Sequence, residues 1–120
     1  MGKPLESTVQ RRCQQLLREN DSFVFKTHGD VYARVGLPDL VACVPVTESC
    51  IEALLKEGWF RTGNVGIFLG LEIKRKDLLS NVSEAQRIVG DEIKDAGGLW
   101  FAIDDPDKLL ALIYKLRGKL

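Results

Sequence analysis

The sequence predicts an α/β domain in which helices pack on a mixed central sheet. Three observations carry this reading. The run Val65–Lys74, VGIFLGLEIK, is apolar and β-prone, as a buried strand is. Ser83 and Gln86 form an S-x-x-Q capping box that opens a helix soon after it. A second β-prone run, LWFAI, follows that helix, and Asp105–Pro106 then opens another.

The elements follow in order. Residues 4–19 read as a helix, with Pro4 at a first helical position and Leu5, Val9, Cys13, Leu16 and Leu17 at helical spacing. SFVFKTH reads as a strand, and a polar, Gly-containing turn follows at 28–36. PDLVACVPV reads as a second strand, with Pro38 at its start, where a missing N–H does least harm. Thr47 is placed to cap a short helix through Lys56 that stops at Gly58, and GWFRTGN is a loop. Residues 65–74 form the third strand. The capping-box helix runs to about Ala96 and is closed by Gly97 and Gly98. LWFAI is the fourth strand, and the last helix carries Leu109, Leu110, Leu112 and Ile113.

A chain of 120 residues suits one domain spanning 1–120 with a single core. Hydrophobic residues at 45% and charged residues at 28% are the balance of a soluble globular protein. Formal net charge is zero, so an anionic partner must be met by a local patch rather than by the field of the whole molecule. Cys13, Cys43 and Cys50 are odd in number and have no ligand-like spacing with His28. With no signal peptide ahead of them, a reduced cytosolic setting is expected. No apolar run reaches the roughly 18 residues of a membrane span, so no membrane association is expected.

Charges inside apolar elements are the informative residues. Side chains alternate along a strand, so Glu72 and Lys74 share a face of the third strand. Two ionisable groups there are costly to bury unless they are paired or bind something. Asp39 stands at the start of the preceding strand. If the two strands are antiparallel neighbours, Asp39 meets Glu72, and two carboxylates at one point repel unless a divalent cation holds them. A hard ion such as Mg²⁺ takes such oxygen ligands, with Lys74 beside it to neutralise developing charge. Glu6, seven positions before Cys13 and eleven before Leu17, adds a third carboxylate on the inward stripe of the first helix. Gln86 shares a helix face with Val89 and Ile93 and looks toward the sheet. Each residue alone has a plainer explanation: a same-strand ion pair, a strand-start aspartate, a first-turn acid complementing the helix dipole, a cap. Their joint placement on consecutive elements supports a metal site.

GLPDLVAC, then LEIKRK, then SEAQ on the next helix resemble the PD-(D/E)XK nuclease superfamily, and within it the small stand-alone VRR-NUC domains of phage and bacteria. The resemblance runs from about Glu6 to Ile103. It implies a restriction-endonuclease-like αβββαβ core. It implies metal-binding carboxylates at Asp39 and Glu72, the Ile73 carbonyl in the inner shell, Lys74 as catalytic lysine, and Glu6 as the first-helix glutamate. Gln86 matches the helix glutamine that orients substrate or the lysine. One departure is the long stretch between Asp39 and Glu72, where residues 47–64 read as an insertion with a short helix and the pair Trp59–Phe60.

The activity implied is Mg²⁺- or Mn²⁺-dependent hydrolysis of DNA phosphodiester bonds in a bacterial or phage-infected cell. A second ion, if present, would lie about 3.5–4 Å from the first. Lys26, Arg34, Arg75, Lys76 and Arg87 are the candidate phosphate contacts, while Arg11, Arg12 and Arg18 read as a solvated helix face. His28, beside Gly29, reads as a loop residue. No base-reading motif is present, so recognition by shape and backbone is expected. The resemblance points to a junction-resolving endonuclease acting as a homodimer on four-way DNA. The alternatives are a monomeric flap or nicking nuclease, a non-catalytic DNA-binding module on the same fold, and a purely structural ion network. Trp59, Phe60 and Ile51–Leu55 either form the dimer interface or cover one edge of the sheet.

Overall fold

The computed structural model describes residues 6–27, 39–75 and 78–118. Among the described residues, four helices and four strands follow in the order α1 (Glu6–Glu19), β1 (Phe23–Lys26), β2 (Leu40–Cys43), α2 (Glu48–Lys56), β3 (Leu69–Ile73), α3 (Glu84–Asp95), β4 (Leu99–Ile103) and α4 (Pro106–Leu116). The protein is α/β, and every described element falls inside a segment whose pattern predicted it.

Helix ends follow local chemistry. Helix α1 stops where Asp21 takes a left-handed φ of 59°. The Ser22 and Asp21 N–H groups then reach back to the Leu17 and Arg18 carbonyls at 3.1 and 3.2 Å, closing a Schellman motif. Helix α3 ends the same way, with Gly97 at φ 93° and the Gly98 N–H on the Ile93 carbonyl at 2.9 Å. Thr47 sits at the N-cap of α2 but gives no side-chain cap; its hydroxyl is 2.9 Å from the Cys50 sulfur instead. Asp105 caps α4 by accepting from the Asp107 N–H at 2.9 Å, with Pro106 next in line.

The sheet differs from expectation. Among the described residues there are two two-stranded sheets rather than one mixed sheet. β1 and β2 are antiparallel, in register from Phe23 opposite Cys43 to Lys26 opposite Leu40. β3 and β4 are parallel, from Leu69 beside Leu99 to Ile73 beside Ile103. The condition on which Asp39 would meet Glu72, antiparallel pairing of the second and third strands, is not among the ladders of the described residues: β2 bonds to β1, and β3 bonds to β4. Hydrophobic alternation specifies which face of a strand is buried but does not name its partner. The third strand is also shorter than its apolar run. Val65 to Ile67 lie outside any ladder and are exposed. The two sheets meet where the Phe23 and Phe68 rings stand 5.6 Å apart and the Cys43 thiol donates to the Ala96 carbonyl at 3.6 Å.

The core lies around the β3–α3–β4 unit. Ile93, Ala96 and Ile103 are buried there, and Val24 of β1 joins them. Helix α3 approaches the strands closely because residue 90 has no side chain. A Cβ on Gly90 would fall 2.5 Å from the Trp100 indole, so the ring rests directly on the helix backbone. Lys94 lies over the same ring at 5.6 Å, within cation–π range. The expected stripe on α1 is not buried: Val9, Cys13 and Leu16 are exposed, and the half-buried positions are Gln10, Gln14 and Leu17. Trp59 is 71% exposed, so it does not cover a sheet edge. No helix among the described residues is long and apolar enough to cross a membrane.

Two consequences are measurable. Gly90→Ala gains about 1 kcal/mol of helix propensity but displaces the indole, at a cost of about 1–3 kcal/mol from overpacking. We expect a net loss of stability in thermal denaturation. Burial raises the Cys43 thiol above its ordinary value of 9.0. The folded state holds this proton more tightly than the unfolded chain, so the associated stability is fully present below 9.0 and is lost as pH rises from there through the raised folded value. In the native protein at pH 8, a thiol reagent is expected to label exposed Cys13 and Cys50 before Cys43, read by peptide mass spectrometry.

Candidate active site

The site assembles at the C-terminal end of β3, where α3 begins. Strand alternation puts Gly70, Glu72 and Lys74 on one face, the face that α3 covers: a Cβ on Gly70 would meet Ile93 of α3 at 3.0 Å. Ile73 points the other way and is 73% exposed. The Lys74 N–H extends the parallel ladder by one bond, to the Ile103 carbonyl at 2.9 Å, which holds the lysine in line with the strand.

On the helix side, Gln86, Gly90 and Ile93 fall at i, i+4 and i+7, a single stripe toward the sheet. Gly90 and Ile93 are buried, whereas Val89, expected on that stripe, is exposed. The capping box is complete. The Ser83 hydroxyl accepts from the Gln86 N–H at 3.1 Å, and the Gln86 side-chain oxygen accepts from the Ser83 N–H at 3.1 Å.

That same glutamine side chain joins the two charged residues of β3. Its Nε2 donates to Glu72 Oε2 at 2.9 Å, and its Oε1 accepts from Lys74 Nζ at 3.0 Å. One amide therefore links carboxylate, ammonium and helix cap. Glu72, Lys74 and Gln86 are all half-buried, so each bond is partly shielded from water and the end of β3 stays reachable. The arrangement presents a carboxylate and an ammonium side by side, held by a neutral bridge, at an open strand end.

Other candidates are placed differently. Asp39 is exposed just before β2; its carbonyl accepts from the Thr27 N–H at 3.1 Å. It therefore belongs to the β1–β2 sheet and not to the sheet that carries Glu72. Among the described residues no group of three or more His, Cys, Asp or Glu side chains is arranged to hold a metal ion. The Glu6 side chain, Arg34, Lys76 and His28 lie outside the described residues. Lys26, Arg75 and Arg87 are exposed on β1, just after β3 and on α3.

Two neighbours of the site were not singled out by sequence. The pattern gives Ser83 the role of a cap alone, although S-x-x-Q ties it to Gln86 by construction. Asp104 follows the Ile103 carbonyl that receives Lys74. Its side chain is 10% exposed and pairs with Lys108 at 2.6 Å. Its signal was the Asp104–Asp105 pair directly after a strand.

No protein-family model matches the chain, and no curated protein or solved structure shows significant similarity to it.

Replacing Gln86 by alanine removes one arm of the cap and both bonds to the charged groups. We expect a loss of about 1–2 kcal/mol in urea denaturation at pH 7, toward the lower figure because the charged partners are partly solvated.

Proposed function

We propose that the chain is a metal-dependent, structure-selective DNA endonuclease of the PD-(D/E)XK type, with a VRR-NUC-like αβββαβ core and a junction-resolving role as a homodimer. The observation that supports this best is the Gln86 amide bonded to both Glu72 and Lys74. It ties the E-x-K strand to the S-x-x-Q helix, as the motif reading requires.

The chemistry of Glu72 fits Mg²⁺ or Mn²⁺, and the reading requires Asp39, on the β1–β2 sheet, to reach the same ion. Gln86 occupies Glu72 Oε2, which leaves Oε1 as a hard oxygen donor. Glu72 would hold the ion together with Asp39 and the Ile73 carbonyl, and Glu6 is a further carboxylate for it. Such an ion supplies Lewis-acid polarisation of the phosphodiester and activation of water. The chain's own residues do the rest. Gln86 holds the Lys74 ammonium on the same face as the carboxylate, where it can neutralise charge developing on the scissile phosphate. Exposed Lys26, Arg75 and Arg87, with Arg34 and Lys76, supply phosphate contacts, each steepening the fall of affinity with salt. Dimer formation is supported by the exposed Trp59 and by a groove of about 680 Å³ whose lining includes Ile51, Leu55, Val65, Ile67 and Leu116 beside Asn64 and Arg117.

A second reading has its own support. The Glu72–Gln86–Lys74 chain satisfies both charges internally, so it also fits a structural clamp that fastens α3 to β3. The test compares the protein with Lys74→Ala on labelled four-way junction, flap and linear duplex DNA, each with Mg²⁺, Mn²⁺ or EDTA. Metal-dependent, symmetric junction cleavage that falls at least about 100-fold in the variant is expected. Cleavage of flaps alone would replace the resolvase with a monomeric flap nuclease. Tight binding without cleavage would indicate a binding module. Neither binding nor any effect of metal on stability would leave the structural clamp.

A further inference from the structure

We infer that Ser83 is a positioning residue for the Glu72–Lys74 pair, acting through Gln86, and that the helix cap is the part of the fold that sets which way the Gln86 amide points. A glutamine amide has two ends of nearly equal shape, and its environment must choose between them. Here the choice is forced three times over. The Ser83 N–H and the Lys74 ammonium, both donors, stand at 3.1 and 3.0 Å from one end, so that end must be the oxygen. Glu72, an acceptor, stands at 2.9 Å from the other, so that end must be the NH₂. A rotated amide would set three donors together and press an oxygen against a carboxylate.

Lys74 and Glu72 reach the amide through side chains with several rotatable bonds, whereas the Ser83 N–H is main chain. It lies at the first turn of α3, and the bond from the Gln86 N–H to the Ser83 hydroxyl locks that turn. The cap is therefore the fixed reference, and the two charged side chains are oriented by it. This also accounts for glutamine rather than glutamate at position 86. Glutamate completes an S-x-x-E cap equally well and can accept from Lys74. It has no N–H for Glu72 and would set a second carboxylate against the first. Cap stability alone does not select glutamine; the pair on β3 does.

The geometric part of this inference is independent of the reaction, and its service to catalysis rests on the nuclease reading. The experiment keeps them apart. In protein with ¹⁵N-labelled glutamine side chains, NMR follows solvent exchange of the Gln86 Nε2 proton that bonds Glu72, well below the melting temperature of each variant. In the unaltered chain this proton is expected to exchange at least about tenfold more slowly than that of a free glutamine amide. Ser83→Ala removes the protection, and Ser83→Thr restores it. DNA cleavage is followed in parallel, and Ser83→Ala lowers kcat more than it raises KM.

A purely structural cap predicts a lower melting temperature in Ser83→Ala with Gln86 protection intact. That result overturns the inference, as does loss of protection that threonine fails to restore or an unprotected amide in the parent. If no DNA is cut by the parent, the nuclease reading fails, while the exchange data still decide the role of Ser83.

Discussion

How closely α3 can lie against the β3–β4 pair governs everything at the candidate site. The limit is set at Gly90, where the Trp100 ring occupies the space a Cβ would need. With the helix seated at that height, the residue one turn earlier on the same stripe is Gln86, and its side chain spans to the end of β3. A helix held a methyl group further away would carry the amide off both Glu72 and Lys74 together. A packing constraint in the interior thus sets a polar geometry at the surface.

Energetic logic makes Gln86 the natural bridge. A half-buried carboxylate and ammonium two residues apart on a strand would each need a partner of opposite polarity, and a neutral amide offers both ends in one side chain. It gives each of the two side chains a hydrogen-bond partner of its own. The geometry also leaves one Glu72 oxygen beyond the amide, and that oxygen is what gives the site its capacity for a hard cation or a phosphate-side role for Lys74. The same economy makes the clamp compatible with a structural reading, since each charged side chain has a partner of opposite polarity in the amide.

Division into two small sheets shapes what the site can include. Asp39 is fixed to the β1–β2 pair by the bond from the Thr27 N–H to its carbonyl, while Glu72 is fixed to the β3–β4 pair. The pairs touch through Phe23 and Phe68 and through Cys43 and Ala96, contacts that are apolar or weakly polar and carry no strand register. Convergence of the two carboxylates therefore depends on how these sheets abut and not on a shared ladder.

Local chemistry was legible in the sequence wherever the deciding partners are close along the chain. The capping box at Ser83 and Gln86, the proline and aspartate opening α4, the glycine closing α3 and the shared face of Glu72 and Lys74 are all set within a few residues, by cap hydrogen bonds and strand alternation. Partner choice was not legible. LVAC and LGLEI are both β-prone, and nothing in either run says that the first pairs with FVFK and the second with LWFAI. Nor did helical spacing on α1 tell which residues would be covered, because burial depends on what the helix lies against. The sequence by itself determined the elements, their caps and the face on which the charged pair stands. The tertiary structure alone decided the strand pairing, the close seating of α3 on Trp100 and hence the bridge from Gln86 to Glu72 and Lys74, because each depends on contacts between segments that local pattern does not relate.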